Sequence, residues 1–233
     1  MSWYDVSENS PEGFELKSTS YYDEGKHIKR VSEYKPYKYN NGFSTITGTK
    51  ITKETNYTES GEVEGYSIYK YNDKYQEIAE EKYDKQGKLL EREESAYDSE
   101  GHKVETTNYD ASGKVLSAEE TKYNSEGRYA GYYSYGENRK LESRLEYTYD
   151  DHGNKVKSSY YDQNNKLQNW TESEFDQYDN EIKETSYDAD GSVSSWRQYE
   201  YDSAGHKRKE TSKYSFEDST SVTTYDVDED EIR

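Results

Sequence analysis

Tyr83-Asp84-Lys85-Gln86-Gly87-Lys88-Leu89 is answered 26 residues later by Tyr109-Asp110-Ala111-Ser112-Gly113-Lys114-Val115, and the same pattern returns at Tyr187-Asp188-Ala189-Asp190-Gly191. An aromatic ring is followed by Asp, two variable residues, Gly and then an aliphatic residue. Asp suits the first turn position because its carboxylate can accept the N–H two residues on, and Gly suits the last because it tolerates positive φ. Each copy therefore predicts a strand that ends in a tight turn into the next strand.

Working outward, six units of 26 residues occupy 57–212 without insertion or deletion. Tyrosine opens each at Tyr57, Tyr83, Tyr109, Tyr135, Tyr161 and Tyr187, and fourteen residues later a second aromatic stands at Tyr71, Tyr97, Tyr123, Tyr149, Phe175 and Tyr201. The aromatic spacing alternates 14 and 12, so each unit is a pair of unequal half-repeats. Two aliphatic columns agree: Val63, Leu89, Val115, Leu141, Leu167 and Val193 lie six places after the first aromatic, while Ile78, Val104, Ala130, Val156 and Ile182 lie seven after the second, with Arg208 breaking that column. The expected fold is all-β: an antiparallel β-hairpin repeat meander forming an elongated, curled or spiral sheet of about twelve strands in the six units. Turns are expected to begin near Asp84, Asp98, Asp110, Asn124, Asp150, Asp162, Asp188 and Asp202.

The recurring Tyr-Asp-x-x-Gly-Lys-aliphatic motif at 83–89 and 109–115, and more loosely at 149–156, resembles the YD-repeat (RHS-like) family. The resemblance covers about two thirds of the chain and implies hairpin modules joined into a long curling sheet, in proteins found at bacterial surfaces or tied to secreted toxins. It implies no catalytic residues. The Asp-Pro-x-Gly segment of large RHS shells is missing, and the chain is too short to enclose a toxin. The pattern is also somewhat similar to MORN-type hairpins.

Outside the repeats, residues 1–56 read as divergent N-terminal cap strands and 213–233 as a C-terminal strand with an acidic tail. Residues 22–26 and Asn40-Asn41-Gly42 look like further turns, residues 44–55 like one or two strands, and Pro11 and Pro36 belong in loops or at an edge. The window 88–96 is rich in helix formers, yet it keeps the repeat register and is assigned to strand.

Composition sets limits. Leu, Ile, Val and Phe supply only 27 of 233 residues and the net charge is −19, values usual for disordered chains. Twenty-nine tyrosines and a strict period argue instead for stacked modules. A tyrosine can pack its ring while its hydroxyl stays wet, which suits a thin sheet. So little aliphatic material makes a compact enzyme pocket hard to build. There is no cysteine, hence no disulfide or thiolate chemistry, and no apolar run approaches a membrane span. The start, Met1-Ser2-Trp3-Tyr4-Asp5, has no signal-peptide pattern. The expected location is cytoplasmic if Met1 is the native start, and the cell surface or outside by resemblance if a leader was removed.

No residue pattern calls for a cofactor or metal. His102, His152 and His206 fall at turns in alternate units, about 19 Å apart in a flat sheet, too far to share an ion. Asp188-Ala189-Asp190-Gly191 opens like a calcium loop but lacks the later ligands, and turn formation already accounts for it. Close carboxylate pairs are expected by chance among fifty acids, so acid–base catalysis has no specific support and no enzyme activity is expected.

One column varies informatively, nine residues into each unit: Tyr66, Arg92, Ala118, Arg144, Trp170 and Trp196. Aromatics and Arg are enriched at binding hot spots. By alternation this column should face away from the aliphatic column of the same strand. Its bland reading is space-filling inside a curled sheet; its functional reading is a binding stripe made of Tyr66, Arg92, Arg144, Trp170 and Trp196. The charge disfavours nucleic acid and anionic membranes as partners, and no membrane insertion is expected. The expected role is a non-catalytic scaffold or binding module for another protein, one with cationic character or a surface glycan being the partner classes considered. Two alternatives are an acidic, immunity-like inhibitor of a basic toxin and carbohydrate binding through the aromatic stripe.

Overall fold

The computed structural model describes residues 4–11, 14–21, 27–40, 43–215 and 219–225. The expected turns at 22–26 and at Asn41-Gly42, along with Phe216 and the acidic tail 226–233, lie outside them. The described residues form strands and turns, with one short 3₁₀ turn at Glu137–Arg139 as the only helical element among them. The class expected from the repeats is the class observed.

Four strands precede the repeats: β1 (Tyr4–Asn9), β2 (Glu15–Tyr21), β3 (Ile28–Asn40) and β4 (Thr45–Tyr57). The repeats supply β5 (Val63–Tyr71), β6 (Glu77–Asp84), β7 (Leu89–Tyr97), β8 (Lys103–Asp110), β9 (Val115–Tyr123) and β10 (Tyr129–Tyr135). They continue with β11 (Leu141–Tyr149), β12 (Lys155–Asp162), β13 (Leu167–Phe175), β14 (Glu181–Asp188), β15 (Val193–Tyr201) and β16 (Lys207–Tyr214). One more strand, β17 (Ser221–Thr224), follows. The twelve strands expected of the repeats are joined by these five to make seventeen.

The chain packs as two units. The first holds residues 1–119 with 136–139, and the second holds 120–135 with 140–233, so the division runs through β9. In the first unit β1 to β8 form an antiparallel meander. In the second β10 to β17 do the same. The expectation of a curled or spiral sheet is corrected here: among the described residues of each unit a strand pairs only with the strands before and after it, so their sheet neither closes nor folds a second layer over itself. The physical reason lies in composition. A second layer needs an apolar face, and the only buried hydrophobic residues among those described are Ala79 and Ala118. The buried polar residues are small: Thr19, Ser20, Ser32, Thr55, Thr107, Ser159 and Thr185. They are the floor beneath larger neighbours on the same sheet. Cross-strand pairs of this kind contribute roughly 0.2–1 kcal/mol each, and the ladder must be held by many of them.

The turns follow the chemistry expected of them. Asp84 Oδ1 accepts the N–H of Gln86 and of Lys88, each at 2.9 Å, and Gly87 N–H donates to Asp84 O at 3.1 Å. The same arrangement recurs at Asp110, Asp150, Asp162, Asp176 and Asp202, and with an amide oxygen at Asn72 and Asn124. All eight expected turns are present, each closed by its own backbone hydrogen bond. The residue ending the turn has positive φ throughout: Gly87 82°, Gly113 87°, Gly191 87°, and, where glycine is absent, Tyr75 58°, Asn165 62° and Asp179 65°.

The turns at Asn72, Asp84, Asp98, Asp150, Asp162, Asp176, Asp188 and Asp202 are each followed by a bulge that the repeat pattern alone does not reveal. Lys82 pairs with Glu91 but Tyr83 with Leu89, leaving Leu90 unpaired. Lys70 pairs with Ala79 but Tyr71 with Glu77, leaving Ile78 unpaired. The second aliphatic column (Ile78, Val104, Val156, Ile182) is thus a column of bulge residues. Arg208 fits there because a bulge residue need not be apolar, and its Nε reaches Asp202 at 3.0 Å. Pro36 lies in the half of β3 that pairs with β4 alone, since β2 reaches only as far as Glu33, so its missing N–H breaks no ladder bond on the open side. Pro11 sits in an exposed turn, also as expected.

Candidate binding face

Register places each stripe residue between two partners. In the first unit Tyr66 lies between Thr55 and Tyr83, and Arg92 between Glu81 and Tyr109. In the second Arg144 lies between Tyr133 and Tyr161, Trp170 between Ser159 and Tyr187, and Trp196 between Thr185 and Lys213. The tyrosine that opens the next unit is the recurring neighbour, and the stripe residue lies flat on it. Tyr66 stacks on Tyr83 at 4.9 Å and Trp170 on Tyr187 at 4.8 Å. Arg92 lies 4.6 Å over Tyr109, and Arg144 3.7 Å over Tyr161. Aromatic and guanidinium faces are interchangeable here because both are planar and both gain from a π-face. The opening tyrosines, which looked like turn markers, are therefore the other half of the stripe.

The partner on the preceding strand adjusts in size and charge. Ser159 and Thr185, both buried, sit opposite the two tryptophans, while Glu81 sits opposite Arg92. Trp170 is fixed further by its Nε1–H, which donates to Glu172 Oε1 at 3.1 Å, and Lys157 reaches both Glu172, at 2.8 Å, and the Trp170 ring, at 5.3 Å. Arg144 pairs with Glu146, which also accepts the Tyr133 hydroxyl at 2.8 Å. Arg92 Nε lies 3.3 Å from the Glu94 carboxylate, and Arg144 Nε is buried without a hydrogen-bond partner among the described residues. Lys70 and the Tyr83 hydroxyl hold the Glu81 carboxyl below the usual range, and Glu81 in turn pushes the Tyr83 phenol up.

Tyr66, Arg92, Arg144, Trp170 and Trp196 are all half-buried. Among the described residues, no second layer of either unit covers them. The column is interrupted at Ala118, which is 0% exposed. Near it Glu105 accepts the Thr107 hydroxyl at 2.9 Å and the Arg139 guanidinium at 2.6 Å, so the 136–139 loop lies against this part of the first unit. The stripe accordingly forms two runs, Tyr66 with Arg92 in the first unit and Arg144, Trp170 and Trp196 in the second.

Alternation alone misplaces the aliphatic column. Leu167 lies opposite Tyr161 and Trp170 opposite Ser159, and Tyr161 and Ser159 are two apart on β12, hence on one face. The unpaired Gln168 absorbs the parity change. The first aliphatic column therefore shares the stripe's face rather than opposing it.

The other face carries the second aromatics. Their hydroxyls donate to a backbone oxygen twenty residues back: Tyr71 to Ile51 at 2.8 Å, Tyr97 to Glu77 at 2.9 Å, Tyr149 to Tyr129 at 2.5 Å and Tyr201 to Glu181 at 2.8 Å. Burial, and after it the Glu77 carboxylate, push the Tyr71 phenol up to about 12. The histidines stay with turn carboxylates: His102 with Asp98, His206 with Asp202 and His152 with Asp179. Asp190 Oδ1 is taken by the Ser192 N–H at 2.9 Å and hydroxyl at 2.6 Å. Among the described residues no group of three or more metal-ligating side chains comes together.

Fold and face together define the class as an all-β tandem hairpin repeat in single-layer antiparallel sheet. No family model matches the chain, and no curated protein matches it. Among solved structures it is similar to a TcdB2-TccC3 chain without its hypervariable C-terminal region (14% identity, TM-score 0.39, 94% of this chain and 15% of that one). A mutant Photorhabdus luminescens Tc holotoxin pore is similar at 13% identity and TM-score 0.40, covering 94% and 15%. A porin-like protein from Bacteroides uniformis is similar at 10% identity and TM-score 0.37, covering 89% and 86%. The chain spans about 15% of the length of those Tc toxin chains.

Proposed function

We propose that this chain is a non-catalytic scaffold of YD-type hairpin repeats that binds another protein through the face bearing Arg144, Trp170 and Trp196. The observation that carries the reading is the pre-ordered row on an uncovered sheet: planar side chains held by stacking and by the Glu172 and Glu146 carboxylates, with small buried partners beneath. A contact surface that is already ordered loses little rotamer entropy on binding. The membership in YD-type repeats rests on the Tyr-Asp-x-x-Gly-Lys motif and the turn chemistry it encodes.

Affinity capture from the source organism with wild type and with Trp170→Ala/Trp196→Ala tests it. A protein held by the first and lost by the second, with unchanged thermal melts, supports the reading. Capture that ignores both substitutions overturns it. A second reading, an acidic inhibitor steered onto a basic toxin, is favoured by the net charge of −19. It requires the captured partner to be a basic enzyme whose activity falls on binding.

A further inference from the structure

The turns that follow the second aromatics leave a groove between neighbours, and this groove recurs with the repeat. One copy is a cavity of about 350 Å³ bounded by Lys50, Thr52, Tyr71 and Asn72. A second, of about 320 Å³, has Gln76, Ile78, Tyr97 and Asp98 at the positions 26 residues on. In the second unit, four repeats after that copy, the groove opens to about 750 Å³ between Asp176, Tyr178, Asn180, Ile182, Tyr199 and Tyr201.

The chain itself shows what such a groove holds. The residue 21 places before the second aromatic runs Lys50, Gln76, His102, Arg128, Asn154, Asn180. Lys50 Nζ lies 5.7 Å over the Tyr71 ring, and the Arg128 guanidinium lies 5.8 Å over the Tyr149 ring. Before Tyr201 the same position is Asn180, short and turned back to its own turn, its Nδ2 donating to Asp176 Oδ2 at 3.0 Å. The cation that Lys50 and Arg128 place over the second aromatic therefore has no counterpart at position 180, while the neighbouring Tyr199 ring is already served by Lys207 at 3.9 Å, as Tyr147 is by Lys155 at 5.0 Å in the Arg128 repeat.

Two further observations point to the same occupant. Tyr178 is 75% exposed at the turn apex, where the other repeats carry Lys74, Glu100, Glu126, His152 and Ala204. Around Tyr201 burial pushes the phenol up first and the Glu181 and Asp176 carboxylates add to this, while Lys207 and Arg208 beside it are engaged with the Tyr199 ring and with Asp202. An aromatic wall beside carboxylates is an environment that selects a cation.

We propose that the groove at Tyr178, Asn180 and Tyr201 is a docking site for one basic side chain, an arginine above all, projected by a partner protein. The guanidinium would take over Tyr201 the place that Arg128 takes over Tyr149. Tyr199 and Tyr201 alternate with Trp196 along β15, so this site lies on the opposite face from the stripe and stands or falls independently of it.

The test titrates labelled acetyl-tetra-arginine amide, and its citrulline counterpart, into the full chain at physiological salt. Tyr178→Ala, and Asn180→Arg, which supplies the missing cation from within, should each weaken binding about tenfold. Asn164→Arg makes the same charge change at an exposed turn on the other edge and should leave binding unchanged. Thermal melts check that each variant folds. Equal binding by Asn180→Arg and Asn164→Arg would mean that only net charge attracts the peptide and would overturn the site. So would citrulline peptide binding as tightly as arginine peptide.

Discussion

Gly113 and Ser112 show how a single turn position is set. Gly113 has φ +87°, with open space where a Cβ would stand, so a substitution there is strained by backbone conformation alone. Gly113→Val should cost roughly 1–3 kcal/mol. Ser112→Ala loses one hydroxyl bond to Asp110, 2.6 Å long and exposed, and should cost less. Urea melts compare them directly; equal midpoints would mean that strain at Gly113 does not contribute. Asn165 occupies the same position with φ 62°, and there Asn165→Ala should be less stable than Asn165→Gly by about 1–2 kcal/mol.

The turn carboxylates also set the response to acid. The His206 N–H, foremost, holds the Asp202 carboxyl down at about 2, and the Ser112 hydroxyl holds that of Asp110 below the usual range. A carboxyl lowered on folding stabilises above its unfolded value of about 3.9 and loses that contribution as pH falls through the folded value. His152 works in the opposite sense: hydrogen bonding to Asp179 raises it, so its contribution is complete below about 6.5 and fades as pH rises through the raised value. Thermal midpoints should therefore fall between about pH 4 and pH 2, and Asp202→Asn should blunt that fall. An unchanged acid limb in this variant would show that the Asp202 turn is not among its causes.

At the scale of elements, the two half-repeats differ in how their tyrosines work. The second aromatic ties its hydroxyl to a carbonyl on the preceding strand, as Tyr97 does to Glu77. Tyr97→Phe should cost about 0.5–1.5 kcal/mol, and Phe175→Tyr, at the position where the repeat lacks the hydroxyl, should regain part of that amount. Chemical denaturation of both variants reads the sign of each. The strands and turns were legible because Asp-x-x-Gly and the 14/12 aromatic spacing are local signals. The bulges were not, because a bulge is marked only by the register of the partner strand. Leu90 and Gln168 look like ordinary alternating positions until Tyr83 and Tyr161 are seen to pair past them. That single extra residue is why the aliphatic column lies on the stripe's face. The stripe residues themselves were visible as a varying column, while their stacking on the opening tyrosines, and the loss of the column at Ala118 beside the Glu105–Arg139 pair, required the fold.

At the scale of the whole molecule, fifty acidic residues and 27 large aliphatic or Phe residues leave nothing from which to build a second layer. Each unit is held by hydrogen-bonded ladders, cross-strand rings and small buried Thr and Ser residues, and its two faces present different chemistry: stacked rings and guanidiniums on one, tyrosines tied to carbonyls on the other. The central claim is that the stripe's face is uncovered. Tryptophan fluorescence of a Trp3→Phe variant isolates Trp170 and Trp196, and acrylamide quenching across a dilution series measures their access to water. The expected result is red-shifted emission that acrylamide quenches readily at every protein concentration. Blue-shifted emission resistant to acrylamide would mean that something covers both rings, and would contradict the account.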